Sequence, residues 1–187
     1  MILPIVAYGD PVLKKKATVI DKDYPNLDGV IANMFETMYA ASGVGLAAPQ
    51  IGLSIRLFVV DGKPFGEDDA SIEKFKEVFI NAQMLDENGD EWKFNEGCLS
   101  IPGIREDILR QPVIHLRYQD QSFQTHERVF EGLAARIIQH EYDHIEGILF
   151  TEKLSPLKKQ LIKGKLRDIT LGKVDVDYRM KFPVRRP

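Results

Sequence analysis

Gln139-His140-Glu141-Tyr142-Asp143-His144 sets two imidazoles four residues apart. On a helix, residues i and i+4 share a face, so His140 and His144 can grip one metal ion, with Glu141 beside it as a proton acceptor. The surrounding run Gly132–Glu146 reads as a helix closed by Gly147. Leu133, Ile137, His140, Glu141 and His144 fall along one side of it, and Ile138, Tyr142 and Ile145 along another. A helix with apolar residues on both sides belongs in the middle of a protein, which turns its metal face inward.

Working outward, Tyr24–Ala41 places Leu27, Val30, Ile31, Met34, Phe35 and Met38 at spacings of three and four, an amphipathic helix. Ser42-Gly43 ends it, with the glycine expected in a left-handed cap. A small, glycine-rich run follows over Gly43–Gly52, then a short buried strand over Arg56–Asp61 and a polar loop, mobile or inserted, over Asp61–Ser71. Lys76–Phe94 alternates and turns at Asn88-Gly89, a hairpin signal. Arg105–Arg110, Val113–Tyr118 and Phe123–Phe130 supply further strands, with a turn at Gln119-Asp120-Gln121. Ser155–Arg167 forms a last helix, and Asp168–Pro187 is expected to be a strand or a frayed tail. Helices and antiparallel strands alternate without a regular βαβ order, so the expected fold class is α+β, antiparallel sheets packed around the central helix.

The 187 residues suffice for one domain with a real core, and one domain over 1–187 is expected. Apolar residues make up 44 % and charged residues 28 %, and the net charge is −3, which gives no reason to expect nucleic-acid readout or an anionic membrane. The opening apolar stretch is short, contains Pro4 and has no basic flank, so no signal peptide or membrane span is read. A single cysteine, Cys98, excludes an internal disulfide and fits a reducing compartment.

A catalytic metal needs three protein ligands and an open position for water. The third could be a carboxylate, an imidazole or a thiolate. Cys98 follows a strand and is preceded by Gly97, so it could approach a neighbouring helix. His115 and His126 are rivals, but both sit among polar neighbours in strands and read as surface or hydrogen-bonded residues. Asp143 lies off the His140/His144 face and suits a buried arginine or a supporting contact.

Three separated segments then carry a resemblance. Gly43–Gly52 is similar to the GxGLAAxQ signature of the peptide deformylases, Glu96–Ser100 to their EGCLS, and Gln139–His144 to their QHExDH. The likeness runs from Pro4 to about Leu154; the last 20 or so residues carry no motif. Ile145 departs mildly, standing where leucine is more usual. The resemblance implies a peptide deformylase-like fold and removal of the N-formyl group from the N-terminal formylmethionine of new polypeptides, with release of formate. It places the metal ligands on Cys98, His140 and His144, the general acid/base on Glu141, and oxyanion donors on the Gln50 amide and the Leu99 N–H. The ion it implies is Fe²⁺ in the cell, with Zn²⁺ or Ni²⁺ able to substitute.

By the same resemblance Val44, Gly45 and Gly97 offer backbone groups to a substrate bound as an added strand. Arg105 reaches the substrate backbone or its carboxylate, the alternative being a surface salt bridge. Leu133, Ile137 and the stem of Arg136 would shape the methionine pocket; as plain sequence, Leu133 and Ile137 are core residues. The expected partners are nascent formylated polypeptides and the ribosome, toward which the basic C-terminal end could turn, in a bacterial cytosol. A zinc endopeptidase shares the two histidines and the glutamate but needs a further ligand or a propeptide. A closed structural metal module would not require Gln50 or the glycine-rich run.

Overall fold

The computed structural model describes residues 1–67, 69–70 and 72–183. Its strands are β1 (Ile5–Val6), β2 (Gly45–Ala47), β3 (Leu57–Asp61), β4 (Lys76–Asn88), β5 (Trp92–Cys98), β6 (Ile101–Arg110), β7 (Val113–Gln119), β8 (Thr125–Glu131) and β9 (Met180–Lys181). The helices are α1 (Leu27–Ala40), α2 (Gly132–Glu146) and α3 (Pro156–Thr170). Antiparallel pairing joins five strands in the order β2-β3-β4-β7-β8, a second antiparallel sheet holds β5 and β6, and β1 pairs in parallel with β9. The α+β class and the central helix are as expected.

β3 explains how the large sheet sits. All five of its residues are buried, because the sheet is covered on both faces. Leu57 and Val59 face α1 and pack with Leu27, Ile31, Met34 and Met38. Phe58 and Val60 point the other way, into a cluster with Ala135, Ile137, Ile138 and Ile145 of α2. Phe58 stacks on Phe79 at 4.7 Å between ring centroids, and Phe79 meets Tyr118 at 4.6 Å. Each fully buried side chain of this size contributes roughly 1.5–3 kcal/mol of transfer free energy, so α2 is fixed by packing rather than by helix propensity. A third cluster joins Ile101, Ile104 and Ile108 of β6 to Leu149, Phe150, Ile162 and Ile169, which seats α3 against the small sheet.

The ends of α2 are chemically marked. Gly132 begins it at φ +57° after β8, and Gly147 ends it at φ +75°, the left-handed region where a side chain is strained. The Ile148 N–H donates to Asp143 O at 2.9 Å and closes the last turn.

Two local expectations are corrected. Lys76–Phe94 does turn at Gly89, whose φ is +92°, but its two arms are not partners. Both edges of β4 are already occupied, by β3 and β7, so β5 leaves the large sheet and pairs with β6. At the end of α1 it is Ser42, at φ +55°, that takes the left-handed position, not Gly43. A Cβ on Gly43 would come within 2.9 Å of Leu99 Cδ1, so this glycine makes room for a neighbour rather than a turn.

Within Asp61–Ser71 a single 3-10 turn forms at Lys63–Phe65; Asp68 and Ser71 lie outside the described residues. The last helix runs three residues further than the pattern indicated, to Thr170. The segment beyond it does supply a strand, β9, and residues 184–187 lie outside the described part of the chain. No described helix is long and apolar enough to cross a membrane.

Candidate active site and metal centre

α2 presents His140 and His144 on one face, and the β5–β6 connection carries Cys98 to them. Cys98 ends β5 at an irregularity where the register jumps from Gly97↔Arg105 to Cys98↔Ile101. That kink re-aims the sulfur toward the helix. The ligand atoms of Cys98, His140 and His144 all lie within 4.8 Å of one another, and Cys98 Sγ stands 3.3 Å from His144 Nε2. A tetrahedral ion with bonds of about 2.3 Å to sulfur and 2.0 Å to nitrogen needs these atoms roughly 3.5 Å apart. The residues fit a metal.

Their surroundings fit one too. His140 Nδ1 lies 3.0 Å from Glu96 Oε2. Burial pushes the Glu96 carboxyl up, but hydrogen bonds from His140 and Arg110 and the charge of Arg110 outweigh it and hold Glu96 well below the usual carboxylate range. Glu96 is therefore an anion that accepts from Nδ1–H, which leaves Nε2 of His140 as the free lone pair. Burial lowers the pKa of His140, yet contacts with Cys98 and Glu96 raise it overall, so the pocket favours positive charge at this point. His144 is pushed well down by burial, then by His140 and Arg110, and stays the neutral imidazole a ligand must be.

The role of Glu96 and the identity of Arg110 were not read from the sequence. Arg110 donates to both Glu96 oxygens, at 2.7 and 2.9 Å, and to Asp143 Oδ2 at 2.7 Å. Arg136 adds a 3.0 Å bond to Glu96 Oε1. These groups are almost wholly buried, so the cluster clamps the small sheet onto α2. The buried arginine expected for Asp143 is Arg110. Glu96 was visible inside the EGCLS run, but nothing local marks Arg110, which reaches its partners through the fold.

Glu141 is buried against Gly45. A Cβ on Gly45 would lie 2.8 Å from Glu141 Cγ and Cδ and nearer still to Oε1. The glycine is thus needed by the glutamate itself. Glu141 Oε2 is buried without a hydrogen-bond partner among the described residues, and burial pushes this carboxyl up to about 7. A carboxyl near neutrality is suited to both taking and returning a proton.

Gln50 comes from the 3-10 turn Ala48–Ile51. Its Oε1 accepts from the Ala47 N–H at 2.8 Å, which aims Nε2 at Cys98 Sγ (3.5 Å) and at the buried Ser100 Oγ (3.4 Å). The bond to Ser100 is long, so the amide N–H groups remain good donors to a stronger acceptor. The Leu99 N–H enters none of the turn and loop hydrogen bonds among the described residues.

These groups line a cavity of about 710 Å³, a size that takes a peptide end. Val44, Gly45, Gly97, Arg105, Arg136 and Ile137 border it. Leu133 does not; it is half-buried against the core cluster under α2. Arg105 has no salt-bridge partner among the described residues: its guanidinium donates to the Asn95 side chain at 2.9 Å and to Asn95 O at 2.7 Å. Phe65, from the polar loop, and Asp175–Tyr178, from the C-terminal segment, also line the cavity and carried no recognisable signal. His115 and His126 lie away from it, paired with Glu127 and Asp120.

A three-ligand centre on the floor of an open cleft, with an unsatisfied carboxylate beside it, defines a metal-dependent hydrolase. Comparison makes the class specific. The polypeptide deformylase family model matches residues 2–160. The chain is 60 % identical over 190 residues to the peptide deformylase of Christiangramia forsetii, covering 98 % of this chain and 97 % of that one. It is 53 % identical to the peptide deformylase of Cytophaga hutchinsonii, over the whole of both. Its fold superposes on the crystal structure of a peptide deformylase from Legionella pneumophila with a TM-score of 0.78 at 38 % identity, covering 90 % and 95 % of the two chains. The chain belongs to the polypeptide deformylase family, metal-dependent hydrolases that remove the N-formyl group from nascent peptides.

Proposed function

We propose that this one catalytic domain deformylates the N-terminal formylmethionine of nascent chains in a bacterial cytosol, with Fe²⁺ held by Cys98, His140 and His144. The observation that carries the reading is the approach of Cys98 Sγ to His144 Nε2, 3.3 Å, with the Gln50 amide 3.5 Å from the same sulfur. When bound, the ion supplies Lewis-acid polarisation and a lower pKa for water.

The chain's own groups do the rest. Glu141 Oε2 takes the proton of the attacking water and returns it to the departing amine. As the formyl carbon becomes tetrahedral, charge grows on its oxygen. The Gln50 amide and the Leu99 N–H meet that charge, each well-placed donor contributing roughly 3–4 kcal/mol. β2 is an edge strand of the large sheet, so a substrate can add beside Val44 and Gly45, with Gly97 opposite. Ile137 and the stem of Arg136 border the space for the methionine side chain, and Leu133 packs against the cluster that contains Ile137. Arg105 stands at the rim, where the substrate backbone leaves. The ribosome is a further proposed partner.

The test is anaerobic purification, a metal assay, and formate release from a formyl-Met peptide beside cleavage of an unformylated one. Glu141→Ala should keep the ion and abolish turnover, whereas Cys98→Ala should lose both. A thiolate-ligated iron is oxidisable, so the iron form should lose activity in air faster than the zinc or nickel form. Peptide-bond cleavage without formate, or a Glu141→Ala enzyme near its parent rate, would overturn the assignment.

A further inference from the structure

The turn Leu99–Ser100 bears the proposed oxyanion N–H, and both ends of the chain converge on it. The Tyr178 hydroxyl donates to Leu99 O at 2.8 Å. One residue on, Ser100 O accepts from the Tyr8 N–H, also at 2.8 Å. Tyr8 follows β1 and Tyr178 precedes β9, and these two strands are paired: the Ile5 N–H donates to Arg179 O at 2.8 Å and the Ala7 N–H to Lys181 O at 2.9 Å. Leu99 and Tyr178 also pack against the same apolar cluster. Tyr178 itself lines the substrate cavity, yet it lies beyond the residues the family model matches.

We infer that Tyr178 is a positioning residue for the deformylation step: by holding the Leu99 carbonyl, it sets the tilt of residue 99 and so the aim of its N–H at the developing oxyanion. Among the described residues no other hydrogen bond holds the Leu99 backbone, which is otherwise placed by Cys98 on one side, Ser100 on the other and the packing of its own side chain. A turn pinned at its neighbours can still rock about the line joining them. The Tyr178 bond lies off that line and removes the rocking. Hydrogen-bond donation to an oxyanion depends steeply on distance and angle, so the loss falls on the transition state rather than on ground-state binding.

The inference rests on the deformylase reading, and the experiment keeps the two apart. Tyr178→Phe keeps the ring and removes only the hydroxyl. Kinetics of formate release are measured beside bound metal, thermal midpoint and amide exchange of the 98–101 segment. The expected result is a kcat about 5- to 20-fold lower, part of the roughly 10²-fold assigned to a whole donor, with KM within twofold, metal retained and exchange at 98–101 accelerated. Arg179→Ala, whose side chain makes among the described residues a 3.2 Å bond to Ile2 O at the exposed side of the same segment, should leave kcat unchanged. A kcat within twofold of the parent, a loss expressed mainly in KM or metal content, or an equal loss in Arg179→Ala would overturn the positioning role. A parent enzyme that releases no formate would instead remove the deformylase reading itself. Should Tyr178→Phe fail to fold, the unaltered protein decides: a Tyr178 hydroxyl proton exchanging with solvent as freely as that of an exposed tyrosine would refute the clamp.

Discussion

Gly45→Ala is the sharpest test of how Glu141 is placed. A methyl at residue 45 would sit 2.8 Å from Glu141 Cγ and Cδ. Non-bonded carbons rest at about 3.5–4.0 Å, so one side must yield by roughly 0.7–1.2 Å. β2 is held to β3 by the register Gly45↔Val60, Leu46↔Val59 and Ala47↔Phe58, whereas the Glu141 side chain has rotatable bonds. The carboxylate should therefore move. A misplacement of about 1 Å in a reacting group costs on the order of 10²-fold in rate, or about 2.7 kcal/mol of barrier. Overpacking adds about 1 kcal/mol of instability at the lower end of its usual range, because the displaced group is a side chain. Formate release by the purified variant should thus show kcat down roughly 50- to 200-fold, with metal content unchanged and the thermal midpoint lowered by only a few degrees. Gly43→Ala is the control: its Cβ meets the tip of Leu99, which can swing aside, and the rate should fall only a few-fold. A Gly45→Ala enzyme within threefold of its parent, or one that loses metal in step with activity, would refute the placement.

Glu96→Gln should cost about 3–5 kcal/mol of stability, because it leaves Arg136 buried without its anion and Arg110 with Asp143 alone, and should weaken metal binding about 10- to 100-fold through His140. Urea unfolding and chelator competition read the two effects, and an unchanged value in both would contradict the clamp. Gly147→Ala forces a Cβ to 2.7 Å from Lys14 O at φ +75°; a loss of about 3 kcal/mol, seen as a fall of roughly 6–12 °C in Tm, is expected. Asp120 is held below its ordinary value of 3.8 by the hydrogen bond from His126, then by the Gln124 and Ser122 N–H groups. Its folded-state pKa is depressed, so its contribution is present above the unfolded value of about 3.9 and lost as pH falls through the folded one. A carboxyl NMR titration should find the Asp120 midpoint below 3.8 and moved upward in His126→Ala.

Short-range pattern carried most of the architecture. α2 was legible to its last residue because two unlike periodicities, ligands and apolar residues, lie on one helix with a glycine at each end. Cys98 could be named beside His140 and His144 only through the resemblance, since 41 residues and a change of sheet separate them in the fold. The misread hairpin shows where local signals stop: Asn88-Gly89 turns the chain, but which strand β5 then meets depends on β4 having no free edge. Arg110 and Tyr178 were invisible for a similar reason. Each is an ordinary residue whose role arises from the carboxylate or carbonyl that the tertiary fold brings to it.

The parting of β4 and β5 at Gly89 also shapes what can evolve. The cleft has one wall on the edge of the large sheet, the other on the small sheet, and its floor on a helix that belongs to neither. Residues such as Phe65, Pro102 and Asp175 border the cavity and are not members of the proposed metal-ligating trio. Point changes there can retune which residues are tolerated after the first methionine while the chemistry on the floor stays intact. Selectivity and turnover are, in this architecture, separately adjustable.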